Sequence, residues 1–556
     1  MKVLLVAINA KYIHSNLAVF SLCRYAKERC KTRDIEIDIA EYTINNRIEE
    51  IVPDIYKMKA DVIAFSTYIW NVEYVTKIAT AIRKVMPQVT IWGGGPEISY
   101  RAAEFISQVP AFDMIMCGEG EKLFSDSIIR LYDGEEVKGI LTCDEPLSMD
   151  ELPYVYDRLP DFDNKIIYYE TSRGCPFSCS YCLSSVDKKT RFKSFDIVKE
   201  ELAHLIENKV KLVKFVDRTF NASHKHAMNI WQYIKDNDNG VTTFHCELSA
   251  DLINDEEIEF LASLRKGLLQ FEIGIQSFNE KTLKEIKRVT DNARLCEVVN
   301  RLHEAGNIHI HLDLIAGLPY EDIDSFADSF NKVYALKPDE FQLGFLKVLS
   351  GSHMAKMQNE YGIVKNESAP YEVMSTKWLS YDDILLLKNV EEVLEIYYNS
   401  RQFDKSVSYI VNYFETSFKM YEKLGKVYDE QFDVGMNHSR IKRYEFLYDF
   451  AKDIVEDNEF LKELLIYDIY ARENSKTRPS FAKTDNDYTA KVCREKNISK
   501  KLYHAEFFEY DIKEFEQSGR IKKCGKVYLF DYSERNPLTY NVTPCEVVYQ
   551  RGCLNK

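Results

Sequence analysis

Three cysteines, Cys175, Cys179 and Cys182, stand in a CxxxCxxC arrangement on one short segment, Cys175-Pro-Phe-Ser-Cys179-Ser-Tyr-Cys182. The stretch before them, Ile166-Ile-Tyr-Tyr-Glu-Thr-Ser-Arg-Gly174, reads as a β-strand ending in a glycine turn. Thiolates are soft ligands suited to iron–sulfur clusters, and a [4Fe–4S] cube normally takes four of them. A loop that supplies only three leaves one iron open to a small molecule. Strand-end loops carry the active sites of β/α barrels, so the triplet constrains the chain around it to a fold that presents such a loop. Zinc with a distant fourth ligand and ordinary reduced thiols are the competing readings. Zinc sites more often show two separated CxxC pairs, and no second pair is present.

The surrounding pattern agrees with a barrel. Residues 161–370 alternate strand and helix signals. An amphipathic helix over Ser194–Lys209 precedes a strand over Val210–Asp217, and Thr243–Leu248, Leu269–Ile275, Ile308–Ile315 and Phe341–Val348 supply four more strands. With the strand before the cysteines this makes six, the number of a partial (β/α)6 barrel. Polar residues and turns recur at the strand ends: Asp217, Glu247 and Ser249, Gln276 and Ser277, and Gly317-Leu-Pro319. His245, His309 and His311 lie on strands, where packing or hydrogen bonding is expected rather than metal ligation.

Residues 1–135 alternate in the same way, with strands expected over Lys2–Ile8, Ile35–Tyr42, Val62–Ser66, Thr90–Trp92 and Met114–Met116, and a helix over Asn16–Lys27. Alternating βα units with apolar strands predict a doubly wound, Rossmann-like parallel sheet whose ligand crevice lies at the carboxyl ends of the strands. Three of those ends are distinctive: Asn9–His14, Ser66-Thr-Tyr68 and Gly93-Gly-Gly-Pro96. Residues 136–160 read as a linker. From residue 371 to 556 the alternation is lost, and helices over Asp382–Tyr398, Val407–Leu424 and Ile441–Tyr470 predict a mainly helical domain with strand-like pieces such as Lys526–Phe530 after Tyr503.

A net charge of −15 argues against a broad nucleic-acid-binding surface. No run approaches the roughly 18 apolar residues that span a bilayer, and Met1–Ile8 is too short an apolar run for a signal peptide. A cytoplasmic protein is expected. The ten cysteines outside the loop show no ligand spacing, and most are expected to be buried small hydrophobes.

On these residues the chain resembles the radical S-adenosylmethionine (SAM) superfamily, in the branch with an N-terminal cobalamin-binding domain and an uncharacterised C-terminal domain. The resemblance implies that Cys175, Cys179 and Cys182 ligate a [4Fe–4S] cluster and form the catalytic centre. It places Tyr181, Ile315 and Gly317 beside the adenine of SAM, Asp217 at its methionine amino group, Glu247 and Ser249 at the ribose or amino group, and Gln276 and Ser277 near the ribose and substrate. Phe215-Val-Asp217 takes the position where the family usually has GGE. Ser66, Gly93, Gly94 and Gly95 are implied along the cobalamin tail, and Cys117-Gly-Glu-Gly-Glu121 also matches. Where histidine-ligated cobalamin domains carry DxHxxG, this chain has Tyr12-Ile-His14-Ser-Asn-Leu17. A carboxylate normally fixes the tautomer of a ligating histidine, so cobalamin is expected to be held by shape and tail rather than by His14.

The implied activity is reductive cleavage of SAM to a 5′-deoxyadenosyl radical, in a cobalamin-dependent methyltransferase acting at a carbon centre of an organic substrate. An external electron donor such as flavodoxin or ferredoxin is implied with it. Non-methylating radical cyclisation or rearrangement, and a non-catalytic iron–sulfur and corrinoid relay or sensor, stay open. A methylthiotransferase would need a second cluster, and Cys23, Cys30, Cys117 and Cys143 lack its spacing.

Overall fold

The computed structural model describes residues 1–432, 438–482, 488–499 and 501–547. In β1 (Lys2–Asn9) every residue from Val3 to Ile8 is buried, the continuous apolar run of a strand covered on both faces. Leu4, Val6 and Ile8 enter one apolar cluster and Val3, Leu5 and Ala7 another, as the period of two dictates. β2 (Glu36–Thr43), β3 (Val62–Ser66), β4 (Thr90–Gly94) and β5 (Met114–Cys117) follow the expected strands closely. A sixth strand, β6 (Gly139–Thr142), falls inside the expected linker and pairs in parallel with β5. Only four residues long and half exposed, it offers no apolar run by which to recognise it. The order β2-β1-β3-β4-β5-β6 puts the topological switch at β1 and β3, so the crevice opens at their carboxyl ends.

The second sheet holds six parallel strands in consecutive order: Ile167–Tyr169, Leu212–Phe215, Thr243–Leu248, Leu269–Gln276, His309–Ala316 and Glu340–Phe345. The first and sixth do not pair, so the barrel is open. A register shift between Gly274 and Gln276 bends the fourth strand at its carboxyl end, where Gln276 takes a φ of 73°. The two sheets are stitched together by a bridge between His14 and Ile166, with Ile166 N donating to Ile13 O at 2.8 Å.

The C-terminal region covers the open edge. Asn399, in a π-turn over Glu395–Asn399, accepts from Phe341 N at 2.8 Å and donates to Phe341 O at 2.9 Å, satisfying backbone groups of the sixth barrel strand. Phe330 on the last barrel helix packs against Phe418 and Tyr421, so one core runs from barrel to cap. The expected helix over Val407–Leu424 divides into Asp404–Ile410 and Ser417–Gln431, and that over Ile441–Tyr470 into Arg440–Ala451 and Asn458–Arg472. Thr416 and Asp457 cap the second halves through Lys419 N and Phe460 N. A three-stranded antiparallel sheet of Tyr503–Tyr510, Lys523–Asp531 and Cys545–Val547 follows.

Fewer of the other cysteines are core residues than expected. Cys23, Cys30, Cys246 and Cys493 are buried, four more are half-buried, Cys545 is exposed, and Cys553 lies outside the described residues. No described helix is long and apolar enough to cross a membrane.

Candidate active site: two cavities that meet

The cysteine loop is pinned from several sides. At its entry Gly174 takes a φ of +89°, and a Cβ there would lie 2.6 Å from Lys189 O, so only glycine fits. Cys175 N donates to Asp187 O at 2.9 Å, Ser180 N to Ile286 O at 2.8 Å, and Met354 N to Ser180 O at 2.8 Å. All three cysteines line one cavity of about 210 Å³, together with Tyr181, Glu247, Ser249 and Gln276. Among the described residues no three Cys, His, Asp or Glu side chains converge closely enough to hold a single metal ion. Three soft donors spread along one wall suit a cluster that offers each a different iron.

Four expected site residues lie elsewhere. Asp217 is only 1% exposed and lines neither cavity. Its oxygens accept from Thr171 N at 3.0 Å, Thr171 Oγ1 at 2.6 Å and Ser172 Oγ at 2.6 Å, so it braces the strand end that leads into the cysteine loop. Burial raises its carboxyl to about 6 against the pull of those hydrogen bonds. Ser277 is fully buried and donates to Glu321 at 2.5 Å. Ile315 packs against the core, and Gly317 makes room for Val373, whose Cγ1 would be 2.7 Å from a Cβ. A polar or glycine strand end can serve packing as readily as a ligand, and spacing alone does not separate the two.

Sequence reasoning missed Arg218, Thr219, Glu272, Arg288 and Asp313, all on the wall of the cysteine-lined cavity. Thr219 Oγ1 lies 3.6 Å from Cys175 Sγ. Arg288 Nη1 lies 3.9 Å from Cys179 Sγ and 3.4 Å from Tyr181 Oη, and its Nη2 donates to Gly274 O. Glu272 accepts from Lys214 at 3.1 Å and from His245 at 3.0 Å. Burial alone would raise Glu272, yet the His245 hydrogen bond and the Lys214 ammonium bring it to about 2. Glu247, 3.6 Å from Lys214, is instead raised by burial and by its neighbour Glu272. His245 therefore has the hydrogen-bonding role expected of it. His311 Nε2 lies 2.9 Å from Asp313 Oδ1, close enough to pair but not aligned as a hydrogen bond.

The second cavity, of about 1300 Å³, lies between the carboxyl ends of the first sheet and the start of the barrel. It exceeds the roughly 300–1,000 Å³ of ordinary small-molecule pockets, which suits a bulky cofactor. Ser66 and Gly93–Gly95 line it, as expected. A Cβ on Gly93 would lie 2.9 Å from Ile98 Cδ1, and one on Gly95, at φ +113°, would lie 2.3 Å from Thr67 O. One on Gly94 would meet nothing nearer than Met116 at 3.7 Å. The protein's own packing explains Gly93 and Gly95, while Gly94 leaves free volume at the wall. Tyr68 and Trp70, unassigned from sequence, stack at 4.4 Å and 7° and present aromatic surface to the same cavity. His14 also lines it, with Nδ1 held 2.7 Å from Tyr168 Oη. Arg218 is common to both cavities; it is exposed and forms no ion pair among the described residues.

Family models match three consecutive parts of the chain: the B12 binding domain over residues 3–127, the Radical SAM superfamily over 169–333, and a protein of unknown function, DUF4080, over 359–534. An uncharacterized methyltransferase of Pyrococcus horikoshii is 26% identical over 378 residues, covering 63% of this chain and 78% of that protein. The cobalamin-dependent radical SAM methyltransferase TokK of Streptomyces tokunonensis is 24% identical over 326 residues, 52% of this chain and 47% of TokK, so the match spans about half of that relative. The structure of the cobalamin-dependent SAM radical enzyme OxsB with aqua-cobalamin and SAM bound shares the fold, with a TM-score of 0.58 at 15% identity over 89% of this chain and 83% of that one. The chain therefore belongs to the radical SAM enzymes that carry an N-terminal B12-binding domain, a group whose cofactors are a [4Fe–4S] cluster, SAM and cobalamin.

Proposed function

We propose that this protein is a cobalamin-dependent radical SAM methyltransferase acting at a carbon centre of an organic substrate. The observation that carries the reading is that the cysteine-lined cavity and the 1300 Å³ cavity share Arg218 in their walls, so that a substrate beside Arg218 would lie next to both cofactor sites. When bound, the cofactors supply a 5′-deoxyadenosyl radical and a transferable methyl group. Cys175, Cys179 and Cys182 hold the cluster and leave one iron free for SAM. Tyr181, Glu247, Ser249 and Gln276 bind and orient SAM around it, while Asp217, Ser277 and Gly317 keep the strand ends in place behind them. Ser66 and Gly94 border the cobalamin tail, and the C-terminal cap holds the barrel edge closed against water. A reducing compartment, the cytoplasm, suits both the free thiols and a flavodoxin or ferredoxin donor.

The test is anaerobic reconstitution with iron, sulfide and hydroxocobalamin, followed by a strong reductant and SAM. Expected are one cluster, bound corrinoid, and slow release of 5′-deoxyadenosine and methionine. Simultaneous replacement of the three cysteines by Ala should remove the iron. Iron retained at full stoichiometry overturns the ligand assignment, and a folded protein that takes up no corrinoid overturns methyl transfer.

A further inference from the structure

The cysteine loop is clasped by three separate segments, each through a backbone hydrogen bond: residues 187–189 at Cys175, residues 286–288 at Ser180, and residues 352–356 at Ser180 from the other side. Each segment, or the turn joined to it, carries exposed lysine: Lys188 and Lys189 on the first, Lys284 and Lys287 on the second, Lys356 on the third. None of the five forms an ion pair among the described residues, in a chain with 88 acidic and 73 basic residues. Lys287 Nζ is instead 3.2 Å from His353 Nε2, which joins the second and third segments. Tyr100 packs on Gly351 and lies within electrostatic reach of Asp187 and Cys182, which places the first segment beside the third.

Acidic groups on these segments are mostly engaged. Asp187 lies 3.6 Å from Arg191, and Glu285 accepts from Tyr361 Oη at 2.5 Å. Glu280 and Glu360 are the exposed exceptions. On the loop and the same segments, Pro176 is exposed, and so are Val186 at 53% and Val289 at 75%, the most exposed large apolar side chain among the described residues. Isolated apolar side chains on a surface need no explanation, but these two lie on segments bonded to the cysteine loop that also carry the unpaired lysines, which gives that face apolar anchors and positive charge together.

We infer that this lysine-bearing face over the cysteine loop is the docking surface for a small acidic one-electron carrier protein of the flavodoxin or ferredoxin type. The inference rests on the radical SAM reading, which requires a reductant. Charge complementarity selects the occupant: a carrier with acidic rim meets local positive charge on a chain whose net charge of −15 would otherwise repel it. The carrier gives up one electron, which the cluster receives, and no bond or proton has to move. Transient electron-transfer complexes bury little area and are steered by charge, so two apolar side chains and the lysines suffice.

The experiment compares the full-length reconstituted protein with the variants Lys188→Glu/Lys189→Glu and Lys284→Glu/Lys287→Glu, and with Lys138→Glu as a control. Affinity for a purified flavodoxin is measured by fluorescence titration at low and high salt, and 5′-deoxyadenosine formation is measured with that flavodoxin or with dithionite. Each double variant should weaken flavodoxin binding and raise its KM by roughly tenfold at low salt, with the difference shrinking as salt screens the pair. The dithionite-driven rate should stay within about twofold, since a small reductant needs no docked interface. Flavodoxin affinity unchanged in both double variants, or reduced as much by Lys138→Glu, overturns the surface. If dithionite releases no 5′-deoxyadenosine from the unaltered protein, the radical SAM reading falls, while the affinity titration still decides the docking site.

Discussion

The imidazole Nδ1 of His14 lies 2.7 Å from the phenol oxygen of Tyr168, so a loop of the first sheet is held by the first strand of the barrel. Tyr168 is thus the side chain that holds the ring where the sequence lacks the aspartate of DxHxxG. A phenol orients the ring but adds no negative charge to raise its basicity. Burial lowers that basicity, and Lys11 and Lys214 lower it further. His14→Ala should therefore leave the visible spectrum of bound cobalamin unchanged and its affinity within about threefold, short of the 10–100-fold loss typical of disturbed metal ligation. Spectrophotometric titration with hydroxocobalamin checks this, and a displaced absorption band would identify His14 as a cobalt ligand.

Gly94 and Gly95 are adjacent yet predict opposite outcomes. Gly95→Ala forces a Cβ to 2.3 Å from Thr67 O at a φ of +113°, which should cost at least about 2 kcal/mol and leave little soluble protein. Gly94→Val adds a strand-compatible side chain into free volume. It should keep the thermal midpoint within about 3 °C and lower corrinoid affinity roughly tenfold or more by occupying the wall. Thermal melts and corrinoid titration on the two variants separate packing from ligand space; equal loss of stability in both would remove Gly94 from the site.

The strands were legible because the central strands of the first sheet are apolar runs buried on both faces and those of the barrel alternate buried apolar with half-buried residues, and the cysteine loop because its spacing has few other uses. What stayed hidden depends on distance along the chain. Arg288 lies 109 residues from Cys179 and Ser277 lies 44 residues from Glu321, so no local pattern joins either pair. Asp217 was visible as a polar strand end, but its orientation was not: the carboxylate turns back to Thr171 and Ser172 rather than toward the cavity. The breaks at Thr416 and Asp457 carry no Gly or Pro, so helical periodicity ran across them.

Asp217 also fixes a pH dependence. Its folded-state carboxyl titrates near 6 against an ordinary value of 3.8, so between those values the folded protein binds more proton than the unfolded chain. Stability then falls as pH rises from about 4 to about 6 and is flat with respect to this group above that. Asp217→Asn should abolish this part of the slope, whatever it does to absolute stability through altered hydrogen bonds. Urea midpoints of the cluster-free protein at pH 4.5 and 6.5 measure it, and an identical slope in both proteins would mean that Asp217 is ionised throughout.

Arg288 places a cation beside Cys179, with Nη1 3.9 Å from its Sγ, and it also ties Tyr181 and the carbonyl of Gly274 to one guanidinium. Reduction adds negative charge to a cluster, and a half-buried cation beside a ligating thiolate favours the reduced form. Arg288→Gln should therefore keep the iron, because all three cysteines remain, while moving the midpoint potential to more negative values by roughly 60 mV, a tenfold change in a one-electron equilibrium. Arg288→Lys keeps the charge but not the planar fork, so it should recover part of the potential without restoring the link between Tyr181 and Gly274. Potentiometric titration followed by electron paramagnetic resonance distinguishes the three proteins. If the glutamine variant keeps the original potential, Arg288 acts only by holding the loop against the fourth barrel strand, and its charge has no part in tuning the cluster.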